Sequence, residues 1–240
     1  MRKNSLIPRV NANCATCSLR ELCLPLGLNE HEIILLDKLV SHKCKIQRGE
    51  FLHRAGLRFQ SLYAIRRGFF KTCILEKDGR QQVTGFYMTG ELLGLDAIST
   101  ETYNCDTVAL EDSEVCEVPF AKLEEMSRNI PTLMHHFHKI MSREIVKDHG
   151  VMMLLGSMRA EERLAAFLLN LSRRFVKRGY SASDFILRMT REEIGSYLGL
   201  KFETVSRAFS RLQDENIISV NNKHVSIHDM DRLRSKVGNS

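Results

Sequence analysis

Three cysteines crowd the start of the chain as Cys14-x2-Cys17-x5-Cys23, and a fourth, Cys116, lies far along in a strand-rich region. A short loop lets the first three thiolates point inward at one soft metal centre, and Cys116 would complete the set from the body of the protein. Zinc accepts four thiolates but more often uses paired CxxC units. Here there is one such pair plus two isolated cysteines. An iron–sulfur cluster accepts four thiolates at irregular spacing. A metal-free thiol switch is the third option. The spacing favours a cluster and leaves the other two open. Seven cysteines in all, with no secretion signal after MRKNSLIPRV, argue against a disulfide framework. Cys44, Cys73 and Cys105 stand apart and read as small packing residues.

A second group of residues suits a different chemistry. Thr190-Arg191-Glu192-Glu193 has the form of a capping box, opening a helix that runs to about Leu198. Gly199 supplies a positive-φ turn, and another helix starts near Phe202. Ile194, Leu198, Leu200, Val205 and Ala208 fall where a helix-turn-helix buries its small core, and Gly195 permits a close helix approach. On the second helix Glu203, Ser206, Arg207 and Ser210 share one face. Arg207 can donate two hydrogen bonds to guanine, and Glu203 can accept from cytosine N4. Ser206 can reach a base edge or a phosphate. Thr204 and the preceding Lys201 belong to the same candidate surface, Lys201 as a phosphate partner. A simple Glu203–Arg207 surface pair is the plainer alternative, but it does not explain the cap, turn and core positions.

The remaining chain must position these two groups. Its 240 residues, 43% of them hydrophobic, suffice for one large or two modest cores. No run approaches a membrane span, so a cytoplasmic protein is expected. The net charge is +6; 15 basic and 10 acidic side chains follow residue 150, so five of the six net charges lie in the last third. That suits a polyanionic partner. Residues 1–28 read as a cysteine-rich arm. A helix with Asn29 as N-cap opens the segment 29–129, where short β-rich runs alternate with glycine turns, as in an antiparallel sandwich or roll. Lys77-Asp78-Gly79-Arg80 reads as a hairpin tip. A long helix is expected over 130–158. On it Met141, Ile145, Asp148, Met152 and Leu155 recur with heptad spacing. Asp148 would be costly in a dry core, and it favours a seam between two copies of the chain. Residues 159–240 form the basic helix-turn-helix unit, entered through the amphipathic helix AEERLAAFLLNLSRRF. No nucleophile–base or phosphate-loop motif suggests an enzyme. His135, His136 and His138 crowd one helix at spacing that suits packing or surface better than a metal site.

These residues together resemble the FNR branch of the CRP/FNR transcription regulators. The likeness runs from about Cys14 to Asp231. It rests on the C-x2-C-x5-C cluster, on ALEDSEVCEVPF around Cys116, on AEERLAAFLLNLSRRF and on E-x2-S-R at Glu203, Ser206 and Arg207. It implies an α+β fold: a cyclic-nucleotide-binding-like β-roll, a long dimerisation helix and a winged helix-turn-helix. It implies an oxygen-labile [4Fe-4S] cluster ligated by Cys14, Cys17, Cys23 and Cys116. It also implies a homodimer reading a palindrome similar to TTGAT-N4-ATCAA, and RNA polymerase contacts from the hairpin near Asp78 and from loops of the roll. The chain departs from the family at Phe202, usually a small aliphatic residue, and at Lys201, where a threonine would cap the helix. The nucleotide-binding branch needs an arginine soon after Gly90-Glu91-Leu92. YNCDTVAL follows instead, so no cyclic nucleotide is expected.

Overall fold

The computed structural model describes residues 14–40, 42–75, 79 and 81–238. The chain divides into two compact units, 1–144 and 145–240.

In the first unit, turns from Cys14 lead to helix α1 (Glu30–Leu39). Its start follows from its chemistry. The Asn29 side chain accepts from the Glu32 amide at 2.9 Å, and Glu32 returns to the Asn29 amide at 2.8 Å, closing a capping box. Eight strands follow: β1 (His42–Ile46), β2 (Phe51–His53), β3 (Ser61–Arg67), β4 (Phe69–Leu75), β5 (Gln81–Met88), β6 (Leu92–Leu93), β7 (Asp106–Ala109) and β8 (Ser113–Pro119). They form two four-stranded antiparallel sheets, β1-β8-β3-β6 and β2-β7-β4-β5. The β-rich segment is therefore the roll expected from its alternation. The expected hairpin tip at 77–80 lies outside the described residues, apart from Gly79, whose φ is 86°.

Alternation along β8 divides the core. Val115 joins Ile65, Phe70, Leu93 and Ala109 between the sheets. Val118 and Cys116 turn to the opposite face, where they meet Leu24 and Leu28 of the arm, Ile33 and Leu36 of α1, and Leu133 and Phe137. Helix α2 (Phe120–Asn129) buries Leu123 against this face. The sequence reading passed over α2. Pro119 at its N-cap makes no side-chain cap bond, so the usual Ser/Thr/Asp/Asn signal is missing. Helix α3 (Pro131–Ser157) begins at a proline, where a missing N–H costs nothing.

In the second unit the later turns of α3 lead to α4 (Ala160–Val176), β9 (Asp184–Ile186), α5 (Arg191–Leu198), α6 (Phe202–Asp214), β10 (Ile218–Asn221), β11 (His224–Ile227) and α7 (Met230–Gly238). The three strands make a small antiparallel sheet, β10-β11-β9. The β10–β11 turn places Asn222 at φ 56°, a conformation asparagine tolerates. Leu164, Leu168, Ile194, Leu198, Val205, Phe209, Leu212 and Leu233 are buried in this unit.

Candidate metal centre and nucleic-acid interface

Cys14, Cys17, Cys23 and Cys116 line one cavity. The rest of its wall is almost wholly apolar: Leu19, Leu24, Leu36, Val40, Ala64, Ile65 and Val118, with Arg20 and Arg66 as its cations. Tight turns bring the arm there. The Cys17 amide donates to the Cys14 carbonyl at 3.2 Å, and the Cys23 amide to the Leu19 carbonyl at 3.0 Å. The Asp37 carboxylate of α1 accepts from the Cys14 amide. His136 of α3 lies 3.1 Å from the Cys23 carbonyl. Leu22 rests on Gly90, where an added Cβ would stand 2.9 Å from the leucine Cβ. The arm is thus seated on a residue that must lack a side chain.

The cavity penalises thiolates. Burial pushes the Cys23 thiol up to about 12 and the Cys116 thiol up to about 11. Cys14 is raised further, first by burial and then by its hydrogen bond to Asp37. The sulfurs also feel one another: Cys14 senses Cys23 and Cys116, and both Cys23 and Cys116 sense Cys17. Four mutually repelling thiolates in an apolar pocket need a cationic centre, whose charge reverses that local preference. The donor set is all sulfur, so it fits a soft, thiolate-bound group. Among the described residues no three His, Cys, Asp or Glu side chains gather closely enough to hold a single metal ion. The thiols ring a cavity rather than a point.

The second site is built on α5 and α6. The Thr190 hydroxyl accepts from the Glu193 amide at 3.2 Å, and Glu193 returns to the Thr190 amide at 2.7 Å. Gly199 ends α5 at φ 62°. The Leu200 amide donates to the Gly195 carbonyl at 2.9 Å, and a Cβ on Gly195 would lie 2.6 Å from the Leu200 carbonyl oxygen. The glycine therefore sets the distance across the turn. Val205, Ala208, Phe209 and Leu212 are buried on α6, which leaves Glu203, Arg207 and Ser210 exposed on its other face. Lys201 is the N-cap and makes no side-chain cap bond. Thr204 is half-buried, and the Arg207 guanidinium reaches its hydroxyl at 3.5 Å.

Ser206 departs from expectation: it is half-buried rather than exposed, and its hydroxyl is screened from solvent without a hydrogen-bond partner. Helical rotation explains this, because Ser206 lies between the buried Val205 and Phe209 and the exposed Arg207. Phe202 is 44% exposed and borders a hollow of about 220 Å³ between α6 and the β10–β11 turn, with Phe209, Val220, Asn222 and Lys223.

Of the candidate seam residues, Met141 is half-buried against the first unit's core. Ile145 is 56% exposed, Met152 62% and Leu155 37%, and Asp148 is exposed. Val146 and Met153, off that stripe, are exposed too.

Arg163 went unnoticed in the sequence. Its guanidinium donates to the Leu155 carbonyl at 2.8 Å, the Met158 carbonyl at 2.8 Å and the Leu198 carbonyl at 2.9 Å. One cation thereby satisfies the C-terminal ends of α3 and α5. A signal was present: Arg163 sits in the first turn of α4, where a positive charge opposes the helix dipole.

Residues 43–129 match the cyclic nucleotide-binding domain model, and residues 162–236 match the Crp-like helix-turn-helix domain. The chain is 45% identical over 227 residues to the fumarate and nitrate reduction regulatory protein of Yersinia pestis, covering 95% of this chain and 91% of that one. The chain belongs to the FNR branch of the CRP/FNR transcription regulators. It is also 45% identical over 229 residues to the transcriptional activator protein Anr of Pseudomonas protegens, covering 95% and 94% of the two chains. Among solved structures it is similar to FixK2 from Bradyrhizobium japonicum, with a TM-score of 0.76 and 28% identity over 82% of this chain and 97% of that one. The Yersinia and Pseudomonas relatives are a regulatory protein and a transcriptional activator by name, and this member of the branch is a DNA-binding transcription regulator, not an enzyme.

Proposed function

We propose that the chain is an oxygen-responsive regulator in which Cys14, Cys17, Cys23 and Cys116 hold a [4Fe-4S] cluster. The observation that carries this reading is the shared cavity: an arm and a strand 93 residues beyond it contribute four thiols to one apolar chamber. A cluster offers four irons to four cysteines, which suits thiols spread around a wall. When bound, it supplies an oxygen-labile link between the arm and β8.

The chain's own residues do the rest. Cys14, Cys17 and Cys23 fix the arm over Gly90 and against α1, while Cys116 fixes it to the sheet. His136 joins the arm to α3 through the Cys23 carbonyl. Met141, Ile145, Met152 and Leu155 pack across a seam with a second copy of the chain, against repulsion between the two Asp148 carboxylates. Losing the tether to Cys116 lets the arm go and tips that balance toward separation. In the dimer, two α6 helices sit about one DNA turn apart. Arg207 donates to guanine and Glu203 accepts from cytosine. Ser206 takes a partner at the base edge once its covered hydroxyl turns outward, and Lys201 pairs with a phosphate. A palindrome similar to TTGAT-N4-ATCAA is the target, and RNA polymerase is the further partner. No cyclic nucleotide enters this reading, because Tyr103-Asn104-Cys105-Asp106 offers no guanidinium for its phosphate.

Fluorescence anisotropy with that palindrome tests the reading. Protein prepared without oxygen should bind tightly and lose affinity after exposure to air. Equal binding in both states would contradict oxygen control. No binding in either would contradict the palindrome.

A further inference from the structure

Cys116 sits in a charged setting that the ligand assignment does not use. In the register of β1 with β8, Lys43 stands directly opposite Cys116, so both side chains leave the sheet on one face. In the register of β3 with β8, Ala64 pairs with Cys116 and Ile65 with Val115. The pairing then slips, so that Arg67 is the next residue in register, opposite Glu114. Arg66 is the extra residue of a β-bulge, a device that redirects a side chain. Arg66 lines the cysteine cavity, and its guanidinium meets the Glu114 carboxylate at 2.5 Å. Glu114 lies two residues before Cys116 and so shares its face.

Charge gives this arrangement a purpose. A cluster held by four thiolates is a net anion, and an anion in an apolar chamber needs nearby positive charge. Arg66 lines the same cavity as Cys116, and Lys43 stands opposite Cys116 in the strand register, so both place positive charge on the side of the sheet that carries this sulfur. The Asp37 carboxylate, which accepts from the Cys14 amide, brings negative charge beside that cysteine and acts in the opposite sense. Arg20 also lines the wall, but its guanidinium is directed to the Leu28 carbonyl at 3.4 Å. Among the described residues Arg66 alone combines the bulge, the cavity wall and a carboxylate brace.

We propose that Arg66 is a charge-compensating, positioning residue for the cluster, and that Glu114 limits how much of its charge reaches the sulfurs. This rests on the cluster reading above. It yields responses of opposite sign. Removing the cation destabilises the bound anion. Removing the carboxylate leaves the cation free to serve the sulfurs and does not destabilise the anion. An ordinary structural ion pair would instead suffer equally from loss of either partner.

The experiment uses the full chain purified without oxygen, as wild type, Arg66→Gln, Arg66→Lys and Glu114→Gln. Iron and sulfide per chain are measured first. The decay of the visible cluster absorbance in a chelator, still without oxygen, is then followed. Arg66 is partly exposed, so the effect is that of a solvent-screened charge: Arg66→Gln should lose its cluster about fivefold faster than wild type. Arg66→Lys, which keeps the charge, should remain within about twofold of wild type. Glu114→Gln should match wild type or decay more slowly. An unchanged Arg66→Gln rate overturns the proposal. So does an equal acceleration in Arg66→Gln and Glu114→Gln, which would make the pair a sheet brace. A wild-type chain without iron and sulfide would overturn the cluster reading itself, and this proposal with it. Thermal unfolding of the metal-free variants separates a misfolded Arg66→Gln chain from a folded one, and the lysine variant decides the question if the glutamine variant is misfolded.

Discussion

Replacing Arg163 with glutamine should loosen the joint between the end of α3 and the helix-turn-helix. Three carbonyls lose a charged donor at 2.8–2.9 Å. A hydrogen bond to a charged group contributes about 1.5–3 kcal/mol when buried. Here the carbonyls lie at helix ends that water can reach, so part of each contribution returns through solvation. Glutamine is shorter and can serve at most one of the three. A net loss of about 2–4 kcal/mol is expected. Lysine keeps the charge without the planar fork and should recover about half of that loss. Urea unfolding of the full metal-free chain measures this directly, with tryptophan-free far-UV detection, since the chain contains no tryptophan. Anisotropy then compares a palindrome with an isolated half-site. If Arg163 sets how the seam helix meets α5, the glutamine variant should lose more of its preference for the palindrome than of its half-site affinity. A change under about 0.5 kcal/mol, or an equal loss on both DNAs, would refute the reasoning.

Gly195→Ala gains roughly 1 kcal/mol of helix propensity but forces a Cβ to 2.6 Å from the Leu200 carbonyl oxygen; the overlap should win, destabilising the chain by about 1–3 kcal/mol in the same urea assay, and a stabilised variant would contradict it. His53 is buried between strands and stacked on Tyr103 at 3.8 Å, and burial lowers its pKa from 6.5 to about 4. The unfolded chain therefore binds the extra proton first, so this stability is present above the unfolded value and is lost as the pH falls from 6.5 toward 4. Unfolding should become easier by about 2 kcal/mol between pH 8 and pH 5, and His53→Phe should flatten that slope; an equal slope in both chains would contradict the assignment. Asp148→Ala should raise the dimerisation constant of air-exposed protein by roughly tenfold, read by analytical ultracentrifugation, and a variant that stays as monomeric as wild type in air removes Asp148 from the balance.

Much of the architecture was legible because local chemistry was explicit. Asn29 with Glu32 and Thr190 with Glu193 announced two helix starts, and both boxes form. The glycines between β-rich runs marked the roll. The spacing of Cys14, Cys17 and Cys23 nominated the arm, and the structure brings all three to the cavity that Cys116 also lines. Helix α2 was missed because Pro119 gives no capping signal. Arg66 was invisible because a bulge is a property of strand register, which single-strand alternation does not encode. Lys43 was missed for the same reason: its place opposite Cys116 depends on pairing between strands distant in sequence. Ser206 was put on the exposed face because a three- and four-residue spacing defines a helix face only to within a broad arc. The structure places it at the edge of that arc, with its hydroxyl covered.

The central claim is that these four cysteines hold an oxygen-labile cluster. The most direct test is iron and sulfide analysis with a visible absorption spectrum on protein purified without oxygen, repeated after air exposure and on Cys116→Ser. About four irons and matching sulfide per chain, a visible band that bleaches in air, and loss of that band in Cys116→Ser are the expected results. A colourless wild-type protein, with zinc or with no metal, would contradict the account.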